Sequence, residues 1–435
     1  MKRCIAVFLA ALICAGLAGC GSKTDKEAPT SPAESSIPES SAEIQESSKT
    51  TSDEQSENKE NDKFTSGIGI VDRDGKHIGN IQEHCGITLT DSGIFYITAQ
   101  NDGADPDAVG MMEGEKTTYS YHLYDTQTNK NYPFGTVPEQ DYEAGYVRTE
   151  LNGKLYTIII TGDILDREPD SMMLLEFDLK KHTIDQYKIS DNGFPYTAMT
   201  EADGKLLILN HDQTDVLHDR LYLFDPDSKE SKEVLHFELS GNTGDTLRSV
   251  YSDDKNIYLL RLRFEGESNV KMFLDTYDLS FKKLSEKDIT SVIKAAAGVD
   301  LAPDDTINEM KQMVGKFMVL DEKYVYYENF SATRFLCNPE DGKLFDETLG
   351  FGDLFIASTG SGKPFFCYIY GGSKNENAVF DWKNGSLEKT LFKADDDRYY
   401  ITAASSSPNG KRLIQVSYTN PVNSSDTLPT KIYYF

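Results

Sequence analysis

The densest group of chemically able side chains is His211-Asp212-Gln213-Thr214-Asp215-Val216-Leu217-His218-Asp219, two imidazoles and three carboxylates in nine residues. Imidazole beside carboxylate suits zinc or another transition-metal ion, but this spacing matches no established ligand pattern, so metal content stays open. A second group is purely acidic. Asp102, Asp105 and Asp107 share one polar stretch with Glu113 and Glu115, and Asp163 and Asp166 share another with Glu168 and Asp170. The run Asn101–Asp107 has a loose calcium-loop character, yet lacks the alternating carboxylates and distal Glu that such loops use. Facing carboxylates would also serve acid–base chemistry on a polysaccharide. Other motifs exclude more than they suggest. Thr359-Gly360-Ser361-Gly362-Lys363-Pro364 mimics a phosphate loop, but Ala357 stands where the first Gly belongs and Pro364 replaces the Ser or Thr. No G-x-S-x-G elbow or zincin helix occurs, so no catalytic residue is nominated and no cofactor is called for.

These residues lie between short apolar runs that recur as one unit. His122-Leu123-Tyr124-Asp125, Glu176-Phe177-Asp178, Leu223-Phe224-Asp225, Thr276-Tyr277-Asp278, Leu336-Cys337-Asn338 and Val379-Phe380-Asp381 each lead into a polar turn, and Ile70-Val71-Asp72 adds a copy near the N-terminus. The turn residues are spaced 53, 53, 47, 53, 60 and 43 positions apart, in or slightly above the range of four-stranded blades. Inside a unit the order is regular: a first strand, a tight turn such as Ala202-Asp203-Gly204-Lys205, and an apolar second strand such as Leu206–Leu209. A long polar loop and the Asp hairpin follow. The chain ends after Lys431-Ile432-Tyr433-Tyr434-Phe435, where the next turn Asp is due, so an N-terminal segment, Lys76 to Ile81, is expected to supply the missing outer strand. The fold expected is an all-β, seven-bladed propeller over 66–435, with six or eight blades as alternatives.

The candidate residues occupy loops between second and third strands, which a meander gathers on one face. That acidic face, carrying Asp102, Asp105, Asp107, Asp163, Asp166, His211, Asp212, Asp215, His218 and Asp219, is the expected binding surface. One segment, 288–315, breaks the pattern. Ser291 to Gly298 reads as a short helix, and Pro303-Asp304-Asp305 opens a second with Ile307, Met310 and Val314 at helical spacing. It is either an insertion packed on a blade edge or a lid.

Acidic residues outnumber basic ones 71 to 44, a formal charge of −27, which argues against nucleic acid and anionic headgroups as partners. The N-terminus carries an address. Met1-Lys2-Arg3 is basic, Cys4 to Gly16 is apolar but too short to span a bilayer, and Leu17-Ala18-Gly19-Cys20 follows. This resembles the lipobox of bacterial lipoproteins. The resemblance implies a signal peptide over 1–19, a diacylated Cys20 as the mature N-terminus, and attachment to the extracytoplasmic face of the cell membrane through lipid. Residues 20–65, rich in Ser, Thr, Glu, Asp and Pro, lack the apolar content to fold and read as a disordered tether of roughly 35–40 Å reach. Cys85, Cys337 and Cys367 remain, each in an apolar strand-like context. They read as buried free thiols, with a Cys337–Cys367 disulfide as the alternative.

The repeats as a whole resemble bacterial extracytoplasmic β-propellers of PQQ-like or WD40-like type. That resemblance implies a monomeric binding or scaffold module for an envelope protein, peptide or glycan, as other propeller lipoproteins are. A polysaccharide lyase or hydrolase, or a solute or cation sensor for a membrane partner, are the alternatives. Trp382 is the only Trp, too few for the Trp motifs of quinoprotein propellers.

Overall fold

Apolar runs buried on both faces explain the architecture. In the second strands almost every residue is apolar: Leu206 and Ile208 pack toward one neighbouring layer, while Leu207 and Leu209 pack toward another. A strand covered on both sides belongs to a sheet stacked between two others. The computed structural model describes residues 67–102, 116–137, 142–163, 168–191, 193, 198–213, 217–296, 310–311, 314–329, 334–344, 354–357, 364–368, 377–420, 423 and 425–435.

Among these residues the sheets are antiparallel meanders. Strands β3 (Gly86–Thr90), β4 (Gly93–Asp102), β5 (Lys116–Asp125) and β6 (Lys130–Thr136) form one, and β7 (Tyr142–Leu151), β8 (Lys154–Asp163), β9 (Glu168–Asp178) and β10 (Thr183–Ser190) the next. An eight-stranded sheet follows: β11 (Ala198–Ala202), β12 (Lys205–Gln213), β13 (Leu217–Asp225), β14 (Glu230–Ser240), β15 (Thr243–Ser252), β16 (Asn256–Glu265), β17 (Val270–Asp278) and β18 (Lys283–Asp288). Helix α1 (Thr290–Ala296) comes next. Then come β19 (Val314–Leu320), β20 (Tyr324–Asn329), β21 (Arg334–Asn338) and β22 (Lys343–Leu344), followed by β23 (Leu354–Ala357), β24 (Phe365–Tyr368), β25 (Ala378–Lys383) and β26 (Ser386–Leu391). The last sheet orders β2 (His77–Ile81), β1 (Ile68–Val71), β29 (Thr427–Tyr434), β28 (Arg412–Thr419) and β27 (Tyr400–Ser406).

This is an all-β propeller with almost no helix. Among the described residues the expected seven separate blades are corrected to five sheets with the four or five strands of a single blade, beside one eight-stranded sheet. The reason lies between β14 and β15, whose tight reversal pairs Leu239 with Gly244 and Ser240 with Thr243, so the ladder runs on through it. The halves of that sheet still face each other across a layer of Leu207, Leu209, Leu221, Leu247, Ile257 and Leu259.

The ring closes through its N-terminus, though not as expected. It is β1, not Lys76–Ile81, that pairs with β29, in a parallel ladder of Gly69, Ile70 and Val71 with Lys431, Ile432 and Tyr433. The 76–81 segment, as β2, folds back on β1 one place further out. Ile70, Ile81, Leu413 and Ile432 then pack against Leu89, Ile94 and Tyr96 of the first meander, and every one of them is fully buried.

The Asp hairpin has one physical basis. In the turn after β9, Asp178 Oδ1 accepts the backbone N–H groups of Lys180 and Lys181, at 3.1 and 2.9 Å. Asp125, Asp225, Asp278 and Asn338 act likewise in their own turns. Asp381 does not, because the turn after it passes through Asn384 and Gly385 at positive φ and leaves its carboxylate to pair with Arg412. Helix α1 opens with the Thr290 N–H on Asp288 Oδ1, 2.9 Å, and buries Val292 beside Met310, Phe264 and Met272. Its described part is thus packed between sheets, as an insertion. The second expected helix lies outside the described residues except for helical Met310 and Lys311.

Candidate binding site on the hairpin ends and inner strands

Those of the residues singled out by chemistry that the structure describes lie toward hairpin ends, and among the described residues only β12–β13 brings several of them together. Asp102 ends β4 opposite Lys116, and Asp163 ends β8 opposite Glu168. Asp105, Asp107, Asp166 and Asp215 lie outside the described residues, as do Cys20, the signal peptide and the tether. In β12–β13 the ladder pairs His211 with Asp219 and Asp212 with His218. His211 Nδ1 meets Asp219 Oδ1 at 2.6 Å, and Asp219 Oδ2 accepts the Leu247 N–H of β15, also at 2.6 Å. Both oxygens of this buried carboxylate are therefore engaged, Oδ1 with the adjacent strand and Oδ2 with the other half of the sheet.

The two imidazoles do not converge on one ion. Strand alternation puts His218 on the face opposite Asp219, where its Nδ1 sits 3.0 Å from His236 Nε2. Among the described residues no group of three His, Cys, Asp or Glu side chains is placed to hold a metal.

A cationic group that the acidic composition conceals lies on the inner strands. The first strands β3, β7, β11, β15 and β19 neighbour one another in that order, and β27 neighbours both β3 and β23, so they face the ring axis. Arg248 is the extra residue of a bulge in β15, between the pairs Leu247–Arg261 and Ser249–Leu260. Bulges re-aim side chains that a regular strand would tuck between sheets. Lys316 follows an equivalent irregularity at Gly315 of β19. Burial lowers the Arg248 pKa, opposed by the nearby Asp219 carboxylate, and lowers that of Lys316 to about 8, opposed by Glu328. Arg148 of β7 donates from Nη1 to Thr88 Oγ1 of the adjoining inner strand, 3.2 Å.

At the tight-turn end of these strands, Asn409 donates its N–H to Asp91 Oδ1 and Asp91 donates its own to Glu150 Oε2, each at 2.9 Å. Burial pushes the Glu150 carboxyl up to about 7, with Asp91 adding repulsion. This pair of carboxylates links three successive sheets rather than opening on a cleft. Among the described residues Cys85, Cys337 and Cys367 form no disulfide, which removes the Cys337–Cys367 alternative. Cys337 and Cys367 are buried, which pushes their thiols up to about 12, while Cys85 is exposed, contrary to its apolar context.

Sequence reasoning overlooked Arg148, Arg248 and Lys316. The signal present was positional: Arg248 and Lys316 each stand five residues before the Asp that opens their strand's turn, Asp253 and Asp321.

No protein-family model matches the chain, and no curated protein does. Among solved structures it is similar to the β-propeller domain of the trilobed protease from Pyrococcus furiosus, described as having an open velcro topology. That likeness has 11% identity and a TM-score of 0.44 over 80% of this chain and 94% of that one. It is also similar to a chain of the mitotic checkpoint complex, with 10% identity and a TM-score of 0.39 over 80% of this chain and 89% of that one. Likenesses this distant carry no argument, and the propeller assignment rests on strand order and ring closure.

Proposed function

We propose that this protein is a lipid-anchored, extracytoplasmic β-propeller lipoprotein that works as a binding or scaffold module for an envelope protein, peptide or glycan. The anchor is Cys20, and the tether over 20–65 leads into β1. One observation carries the reading: β1 sits between β29 and β2 in the closing sheet, so the segment that follows the tether is an integral part of the folded body. A body joined in this way to a flexible leash can sample the surface around its anchor while keeping its hairpin ends rigidly arranged. The acidic side chains at those ends, Asp102 and Asp163 among them, form the contact surface.

The test pairs localisation with capture. Wild-type chain is expected in the membrane fraction and Cys20→Ser in the soluble extracytoplasmic fraction. Photo-crosslinkers placed at Asp102 and Asp163 are expected to trap an envelope component in intact cells. Membrane retention of Cys20→Ser would remove the anchor. Absence of crosslinks, together with polysaccharide turnover by the purified protein, would favour the enzyme alternative.

A further inference from the structure

The pair His218 and His236 can do more than join two strands. The β13–β14 ladder sets His218 opposite Glu238 and Arg220 opposite His236, so the two imidazoles stand diagonally on one face of the sheet. Their facing nitrogens, Nδ1 of His218 and Nε2 of His236, are 3.0 Å apart, and the ring centroids are 5.1 Å apart at an interplanar angle of 53°. The rings therefore meet nitrogen to nitrogen instead of stacking. His236 is exposed and His218 half-buried, so an ion reaches them without any opening of the fold.

An irregularity in the ladder brings in a third group. Between Leu221 and Tyr222 the register shifts, so that Val234 is an extra residue and Glu233 comes opposite Tyr222. In a regular strand Glu233, three residues from His236, would point to the other face; the bulge returns it to the imidazole side. Glu233 Oε1 lies 3.7 Å from His236 Nδ1, the nitrogen turned away from His218, and Glu233 Oε2 lies 3.6 Å from Arg220 Nε. A carboxylate there favours a proton on Nδ1 and so leaves Nε2 its lone pair. Arg220 opposes a cation, but Glu233 and Glu238 share its face and outnumber it, in a chain of formal charge −27.

We propose that His218 Nδ1 and His236 Nε2 together bind one divalent transition-metal ion of the kind that prefers imidazole, copper(II) above nickel(II) and zinc(II). Two nitrogens held about 2.0–2.1 Å from one ion stand roughly 2.9 Å apart at a right angle and roughly 3.3 Å apart at a tetrahedral angle. The observed 3.0 Å lies between these, nearer the right angle of tetragonal copper. Binding replaces the hydrogen bond between the rings. The shared proton moves to the outer nitrogen of its own ring, Nε2 of His218 or Nδ1 of His236, and both inner lone pairs turn to the ion. Among the described residues no third His, Cys, Asp or Glu joins them, so water fills the remaining positions. The inference does not depend on what the hairpin ends bind.

The experiment uses the full chain purified in detergent, freed of metal with a chelator and titrated with copper(II), nickel(II), zinc(II) and magnesium(II). Saturable binding is expected with copper tighter than nickel or zinc, none is expected with magnesium, and copper should raise the melting temperature. The electron paramagnetic resonance spectrum of the copper-loaded wild type is expected to show splitting from two nitrogens. His218→Ala and His236→Ala should each lose about tenfold or more in copper affinity, and Glu233→Gln should lose several-fold. Melting curves without metal check that each variant folds, and the wild-type spectrum decides the matter if one does not. The proposal is overturned if copper does not bind, if the spectrum shows no nitrogen or only one, or if affinity is indifferent to both histidine substitutions (an adventitious ion only).

Discussion

At the scale of single residues, several charged groups among the described residues are committed to holding sheets together. Glu150 shows this best. Its carboxyl is buried and lies beside Asp91, and both factors favour the neutral form, raising its pKa to about 7 from the ordinary 4.5. A carboxyl whose folded pKa is raised contributes stability that is full below pH 4.5 and is lost as pH rises through 7. Glu150→Gln keeps an acceptor for the Asp91 N–H and removes the titration. The variant should gain on the order of 2–3 kcal/mol over wild type at pH 8 and match it near pH 4.5. Urea unfolding at the two pH values measures this, and a constant difference between them would show that Glu150 ionises normally.

At the scale of elements, β15–β18 carry a buried ion network that ties four strands through one side chain. Arg261 on β16 takes Asp275 of β17 with Nε and Nη2, at 2.7 and 3.1 Å, Asp245 of β15 with Nη1 at 2.7 Å, and Glu286 of β18 with Nη2 at 2.8 Å. Asp275 is fully buried and without Arg261 would keep only the Lys283 ammonium, at 3.2 Å, so truncating Arg261 leaves it poorly compensated. Arg261→Ala should cost about 3–5 kcal/mol, and Arg261→Lys should recover little, because an ammonium lacks the fork that engages three carboxylates. Chemical denaturation reads both. A loss below about 1 kcal/mol for Arg261→Ala would mean that water replaces the guanidinium. The repeat itself was legible at this scale, since Asp178 and its counterparts cap their turns as their type and spacing suggest. Asp381 was not: its turn residues, Asn384 and Gly385, form a tighter reversal that needs no cap, and a cation from the neighbouring sheet claims it.

At the scale of the whole molecule, closure depends on a short strand far from its partners in sequence. β1 is only four residues long and includes Gly69, and it gains its place through Ile70 and Val71 packed between sheets. Ile70→Ala should therefore cost about 2–5 kcal/mol despite its distance from the rest of the ring in sequence. A change under 0.5 kcal/mol in denaturant titrations would place the closing strand elsewhere. Global charge is similarly uneven, with acidic residues in excess overall and Arg148, Arg248 and Lys316 standing on the inner strands.

Sequence alone determined the repeating hairpin, the tight turns and the all-β class, because these follow from local turn chemistry and from which residues must leave water. It also carries Leu17-Ala18-Gly19-Cys20, a run that resembles a lipobox and is read without any fold. Only tertiary structure decided the rest: that β14 and β15 run two expected blades into one sheet, that β1 rather than β2 meets β29, that His211 and His218 part company across a strand, and that Arg248 and Lys316 fall at bulges of inner strands. Each of these depends on register and on bulges, where a one-residue shift reverses every side chain's direction, and composition contains no record of such a shift.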